Sequence, residues 1–308
     1  MLDVLSGFAT IAAVIGVGAI VAHFKVVDLE ASVLLNRVAF FVASPALLVT
    51  TIAATDVSQV LSANLLATAA GVAVPAIMYA VVGRRVWRRR PGEVVIGSLA
   101  SSYVNAGNLG IPVAAYALGS ASFVAPTLLL QLLVLQPAAL ALLDSDRSGR
   151  RPRVGEVLRR PFTNPLTIGT LVGLLLAVTG WRLPTPVLAP IELIGAMAVP
   201  GMLLAYGIAL RLGPGLGGDL PAGELALTTG LKLVVQPLVA WAVAAGLLGL
   251  QGHALLAVVV CSALPTAQNI FVHATRYDRA TTLARDTILL TTTGSVPVIL
   301  LATYLLGR

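Results

Sequence analysis

The chain alternates long apolar runs with short polar connectors. Runs of about 18 to 25 residues, enough to cross roughly 30 Å of hydrocarbon, fall at 5–22, 33–54, 62–83, 94–118, 121–143, 164–181, 187–210, 224–248, 253–275 and 282–306. The pattern predicts an all-α polytopic membrane protein with ten transmembrane helices. The start, Met1-Leu2-Asp3-Val4, carries no basic stretch, so the first run reads as a spanning helix and not as a cleaved signal. Composition points the same way: 57% of residues are hydrophobic and 11% charged, against about 25% charged in an ordinary soluble domain.

A net charge of +7 would suit nucleic acid. The basic residues, however, sit in short connectors without interleaved aromatics, where they act as a topology signal. Lys25 and Arg37 flank the first connector, and Arg84, Arg85, Arg88, Arg89 and Arg90 fill the third. Arg147, Arg150, Arg151, Arg153, Arg159 and Arg160 fill the fifth, Arg211 the seventh, and Arg276, Arg279 and Arg285 the ninth. That places 17 of the 20 basic residues on one side, with Arg182 and Arg308 on the other and Lys232 inside a helix. The odd-numbered connectors are therefore expected in the cytoplasm, with both termini extracellular or periplasmic. The single cysteine, Cys261, excludes an internal disulfide and offers no zinc spacing.

The two halves echo each other at offsets close to half the chain length. Ser44-Pro45-Ala46-Leu47-Leu48 resembles Val199-Pro200-Gly201-Met202-Leu203, and Val74-Pro75 matches Gln236-Pro237. Asn105-Ala106-Gly107-Asn108-Leu109-Gly110-Ile111-Pro112, in the fourth run, matches Leu264-Pro265-Thr266-Ala267-Gln268-Asn269 in the ninth. With five helices per copy, the second copy enters the membrane from the opposite side. This predicts a 5+5 inverted repeat: 1–143 as the first repeat, 144–161 as a basic cytoplasmic connecting loop, and 162–308 as the second.

The fourth and ninth runs cannot remain regular helices. Relative to Ala, Gly costs about 1 kcal/mol and Pro about 3 kcal/mol in a helix interior. Peptide groups released within a bilayer must find partners in protein or in a water-lined cavity. Matching breaks in an inverted repeat point to the binding site of a secondary transporter, with helices 4 and 9 crossing there. The second half of helix 4 is expected to restart at Pro112, and that of helix 9 near Gln268 or Asn269. Each restart offers unpaired N–H groups and a positive dipole end to an anion. Asn105, Asn108, Gln268 and Asn269 add neutral polar groups there, and Gly107, Pro112 and Pro265 shape the backbone. The blander reading is that Gly and Pro only kink membrane helices or let them pack closely.

Other polar residues are less decisive. Lys232 lies about 12 Å into its helix from Glu224 at 1.5 Å per residue. It either snorkels to the cytoplasmic surface or pairs with a substrate carboxylate or an internal acid. Gln236 follows it by one turn. Asp286 would favour the helix 10 N-terminus or couple protons, and Glu192 would mark the outer interface. Pro45 and Pro200 are expected kinks near which Ser44, Thr50, Thr51 and Tyr206 could face the crossover. His273 either titrates or packs. Asp144-Ser145-Asp146 looks like a metal pattern but is expected in a solvated loop, so no metal or other cofactor is assigned.

The string Ser102-Tyr103-Val104-Asn105-Ala106-Gly107-Asn108-Leu109-Gly110-Ile111-Pro112 resembles the fourth-helix signature of the auxin efflux carrier family, which includes the plant PIN-type exporters. Ser44-Pro45-Ala46-Leu47-Leu48, Asn164-Pro165-Leu166 and Leu264-Pro265-Thr266-Ala267-Gln268-Asn269 agree with it. The resemblance implies scaffold and transport elements, elevator-like alternating access, and small organic anions such as mono- and dicarboxylates. It also implies a carrier in the plasma (inner) membrane; related folds suggest a homodimer. The long cytoplasmic loop of many plant members is missing, which speaks against auxin itself.

Three other readings compete with a carboxylate carrier. A passive channel could line its pore with the same breaks. A carrier of the same fold could move a neutral or cationic substrate with sodium or protons, although no acidic residue is placed at mid-depth. An enzyme has least support, since the chain has no Gly-x-Ser-x-Gly, no His-Glu-x-x-His and no aspartate-rich pair. The orientation is testable. In a Cys261→Ala background, a cysteine at position 150 should react with an impermeant maleimide only after the cytoplasmic face is opened. Labelling from outside would overturn both the topology and the inverted repeat.

Overall fold

The computed structural model describes residues 2–54, 63–149, 162, 165–212 and 220–307. The described residues are helical throughout, apart from turns and one isolated β-bridge. In chain order the helices are α1 (Leu2–His23), α2 (Leu29–Ala53), α3 (Ala63–Arg85), α4 (Pro91–Ser102) and α5 (Ile111–Ala117). They continue with α6 (Ala121–Arg147), α7 (Pro165–Thr179), α8 (Thr185–Leu212), α9 (Ala222–Leu247), α10 (Gly252–Ala263), α11 (Asn269–Tyr277) and α12 (Thr281–Leu306). Among the described residues, six of these are long and apolar enough to cross a membrane: α2, α3 from Asn64, α6, α8, α9 and α12. The expected fourth and ninth runs appear instead as pairs of shorter helices, because each is interrupted at its predicted break.

Proline sets the local geometry of the long helices. A proline lacks an N–H and clashes with the carbonyl four residues earlier. Here the chain widens into a π turn at that place, a recognised form of helix bulge. Ala39–Ala43 precedes Pro45, Ala106–Gly110 precedes Pro112, Leu130–Leu135 precedes Pro137, and Leu231–Val235 precedes Pro237. Of the two prolines expected as kinks, Pro45 follows a widened turn, whereas Pro200 follows a single turn residue at Met197. Pro112 lies in the first turn of α5, as expected, but the coil resumes earlier, at Ala106.

The chain forms two compact units, and neither is a sequence half. One comprises Met1–Leu61, Ala106–Leu129 and Phe162–Gly215; the other comprises Ser62–Asn105, Leu130–Pro161 and Leu216–Arg308. In the first unit, glycines let helices approach to backbone contact, as small residues do in membrane bundles. Gly18 and Gly207 bring α1 against α8, while Gly169 and Gly173 seat α7 on the Pro45–Ile52 stretch of α2. Ser32 Oγ donates to the Ala205 carbonyl at 2.7 Å, and Ser44, fully buried, donates to Met202 Sδ at 3.8 Å.

The second unit buries a carboxylate with its partners. Glu224, 1% exposed, accepts from Tyr79 Oη at 2.6 Å and from Arg89 Nε at 3.1 Å. Two sequence expectations need correction. Asp144 and Asp146 are not in a solvated loop, because the helix runs on to Ser148. Tyr277 Oη donates to Asp144 and Arg279 Nε to Asp146, which extends the helix past its apolar part. Asp286 does not serve the first turn of α12; it is buried and accepts from Arg285 Nε at 2.7 Å. Most of the connecting loop, from Arg150 to Pro161, lies outside the described residues, as do Asn164 and Arg308.

The α1–α8 contact gives a stability prediction. A Cβ on Gly207 would collide with the Ile15 carbonyl, whereas one on Gly16 meets nothing within 4 Å. Gly207→Ala should destabilise by about 1–3 kcal/mol, the usual cost of overpacking. The detergent-solubilised protein should therefore melt several degrees lower in a thermal assay, while Gly16→Ala melts like the parent. Equal melting of both variants would refute the close helix approach.

Candidate functional site

The two breaks in the second unit meet each other. α4 stops at Ser102, where Tyr103 turns extended. α10 stops at Ala263, where Leu264 is forced extended by the proline that follows it. Val104 and Thr266 then pair as an antiparallel bridge. Asn105 N–H donates to the Pro265 carbonyl at 2.7 Å, and Ala267 N–H donates to the Tyr103 carbonyl at 3.1 Å. Two interrupted helices thus satisfy part of each other's released backbone.

Side chains complete the pairing. Gln236 Nε2 donates to the Ser102 carbonyl at 2.8 Å, and Thr266 Oγ1 to the Ala100 carbonyl at 2.6 Å, closing the C-terminal end of α4. Gln131 Nε2 donates to the Val104 carbonyl at 2.9 Å. Thr291 Oγ1 on α12 accepts from Thr266 N–H at 3.1 Å. At the C-terminal end of α10, the Ser262 carbonyl accepts from Lys232 Nζ at 3.1 Å.

Lys232 does not snorkel. It is 0% exposed and lies in the π turn that Pro237 imposes on α9. Among the described residues, no carboxylate lies within ion-pair distance of its ammonium. A cation there is favoured by the negative end of the α10 dipole. The arrangement leaves N–H donors of a buried ammonium facing the neighbourhood of the breaks.

α11 opens at Asn269 with Gln268 as its N-cap, where the sequence placed the restart. Nearby, the Tyr103 hydroxyl donates to Gln136 Oε1 at 3.2 Å. Asn269 Oδ1, His273 Nε2 and Gln236 Oε1 are buried and have no hydrogen-bond partner among the described residues. Asn269 and His273, four residues apart, share one face of α11. Asn105, Pro265, Gln268, Asn269, His273, Lys232 and Gln236 all belong to this unit.

The remaining candidates have other surroundings. Gly107 and Asn108 form part of the π turn before α5, Gly107 beside Leu166, and Pro112 is buried in the first turn of α5. Ser44 and Thr51 lie on α2, and these five belong to the first unit. Asp286 is paired with Arg285 in the second. Sequence reasoning missed Gln131, Thr291 and Ser262. Gln131 had a signal, a lone amide in an apolar run; Ser262 acts only through its carbonyl, which no residue type reveals. An open, mostly apolar cavity of about 780 Å³ also runs along α3, α4 and α6, from Arg84 and Asp146 to Ser102 at the α4 end.

Comparison with known proteins identifies the class. A family model described as "Membrane transport protein" matches residues 150–303, half of the chain. A protein of Rhizobium meliloti (strain 1021) named "Putative malonate transporter" is 29% identical over 287 residues, which cover 90% of this chain and 88% of the relative. The chain, with its apolar helices and paired helix breaks, belongs to this membrane transport protein family of auxin efflux carrier type.

Proposed function

We propose that this protein is a secondary active carrier for a small organic anion, a mono- or dicarboxylate, with a malonate-sized dicarboxylate as first candidate. The observation that carries this reading is Lys232, a buried amine beside the paired breaks with no carboxylate against it among the described residues. A buried charge is tolerated when it is paired, and an anionic substrate supplies the missing partner. The same observation weighs against a cationic substrate. Support for the substrate class comes from the 29% identical relative named for malonate transport.

In this reading the ten apolar runs are ten spans in a 5+5 inverted repeat, with helices 4 and 9 crossing at the bridge. Both termini face the outside of the plasma membrane, and the carrier works as a homodimer by elevator-like alternating access. The bridge, Lys232, Gln236 and Asn269 belong to one compact unit, which is what a site that moves as a body requires. The α11 N-terminus and Asn269 receive one end of the anion, with Asn105 beside them and Lys232 supplying the counter-charge.

Purified protein in liposomes should accumulate labelled malonate by counterflow when preloaded with unlabelled malonate; a passive channel would not. Asn105→Ala and Asn269→Ala should each weaken malonate affinity roughly five- to 150-fold, the range set by about 1–3 kcal/mol for an unsatisfied buried polar partner. Both variants should remain folded and in the membrane. If both bind malonate as tightly as the parent, the breaks are structural kinks and the site lies elsewhere.

A further inference from the structure

In secondary transporters built on discontinuous helices, half-helix N-termini point at anionic substrate groups, while unwound carbonyls and half-helix C-termini hold the coupling cation. The second unit contains two such C-terminal ends, α4 at Ser102 and α10 at Ala263. Protein donors already engage the carbonyls around them. Ala100 accepts from Thr266, Ser102 from Gln236, Tyr103 from Ala267, Val104 from Gln131 and Pro265 from Asn105. Ser262 accepts from the Lys232 ammonium.

We propose that Lys232 is a resident counter-cation, standing where a coupling sodium ion would otherwise sit, so that this carrier binds its anion without sodium. The proposal rests on the anion reading above and extends it to coupling. Three observations carry it. The ammonium is fully buried and donates to the Ser262 carbonyl in the last turn of α10. No described carboxylate lies against it, so a bound anion is the group that would hold it protonated. A sodium ion seeking the same carbonyl would meet a like charge about one hydrogen-bond length away, which is strongly unfavourable in a low-dielectric interior.

The placement is built in by sequence. Pro237 widens the turn that contains Lys232, and Gln236, four residues on, faces the α4 end while Lys232 faces the α10 end. One stretch of α9 therefore serves both breaks, with a neutral amide at one C-terminal end and a cation at the other. In the first half, the residue at the same offset from Pro75 as Lys232 is from Pro237 is Ala70. The repeat thus carries one resident cation and not two.

The experiment measures malonate binding to the purified carrier by calorimetry in sodium chloride and in choline chloride, with and without substitution of Lys232. The parent protein should bind with the same affinity, within twofold, in both salts. Lys232→Ala should bind about ten- to hundredfold more weakly, as expected for loss of a charged hydrogen-bond partner. Ethylammonium chloride, small enough to fill the space left by the side chain, should restore part of that affinity, whereas choline should not. Binding by the parent that requires sodium would overturn the resident cation while leaving the anion reading intact. Full-affinity binding by Lys232→Ala would overturn it too. Failure to bind any carboxylate in either salt would sink the anion reading and this inference together. The salt comparison on the parent protein decides the question even if Lys232→Ala does not fold.

Discussion

A peptide group set free in hydrocarbon costs several kcal/mol unless it finds a partner, and the described helices are arranged around that constraint. α4 and α10 both end inside apolar runs, so their last carbonyls lose their intrahelical donors. The Val104–Thr266 bridge repairs two of the losses by backbone pairing. Further carbonyls are met by side chains from α6, α9 and the break itself, namely Gln131, Gln236, Lys232 and Thr266. Because the donors come from α6, α9 and the break after α10, the pairing also fixes α4, α6, α9 and α10 to one another within the unit. The pairing thereby holds the helix ends in place where the helices are broken.

The repeated association of proline with a widened turn explains how the sequence places these donors. A π turn changes which residues share a face, and it does so at positions that proline selects four residues ahead. In α9 this sets Lys232 and Gln236 at neighbouring helix ends. In α2 the turn at Ala39–Ala43 precedes Ser44, whose hydroxyl then reaches Met202 on α8. At Ser44-Pro45 and Gln236-Pro237 the proline thus goes with a change of helix phase, whereas their sequence counterparts Pro200 and Pro75 follow no widened turn.

Much of this was legible in the residues. The apolar runs located the helices, and the clusters 105–112 and 264–269 located both interruptions, since Gly, Asn and Pro act within a few residues of where they stand. What was not legible depended on distant partners. Whether Lys232 reaches the surface or the interior is decided by the α10 end that meets it, not by its depth along α9. The helix through Asp144 and Asp146 continues because Tyr277 and Arg279, far along the chain, bind those carboxylates. The two compact units were also hidden, since each is assembled from both halves, and a repeat in sequence says nothing about which copies pack together.

The buried charged side chains among the described residues are Glu224, Lys232 and Asp286. Glu224 is neutralised by Arg89 with a hydrogen bond from Tyr79, and Asp286 by its neighbour Arg285. These two pairs stay local to α3, α9 and the start of α12, and they explain their own burial. Lys232 alone of the three is balanced by a helix dipole and a single carbonyl, an interaction worth at most about 2 kcal/mol in a partly buried setting. Burying an ion costs several kcal/mol even after relaxation. That shortfall disfavours the charged form of the side chain unless a negative group lies beside it. Of the three, Lys232 is therefore the one set beside the two paired helix breaks without a carboxylate partner among the described residues.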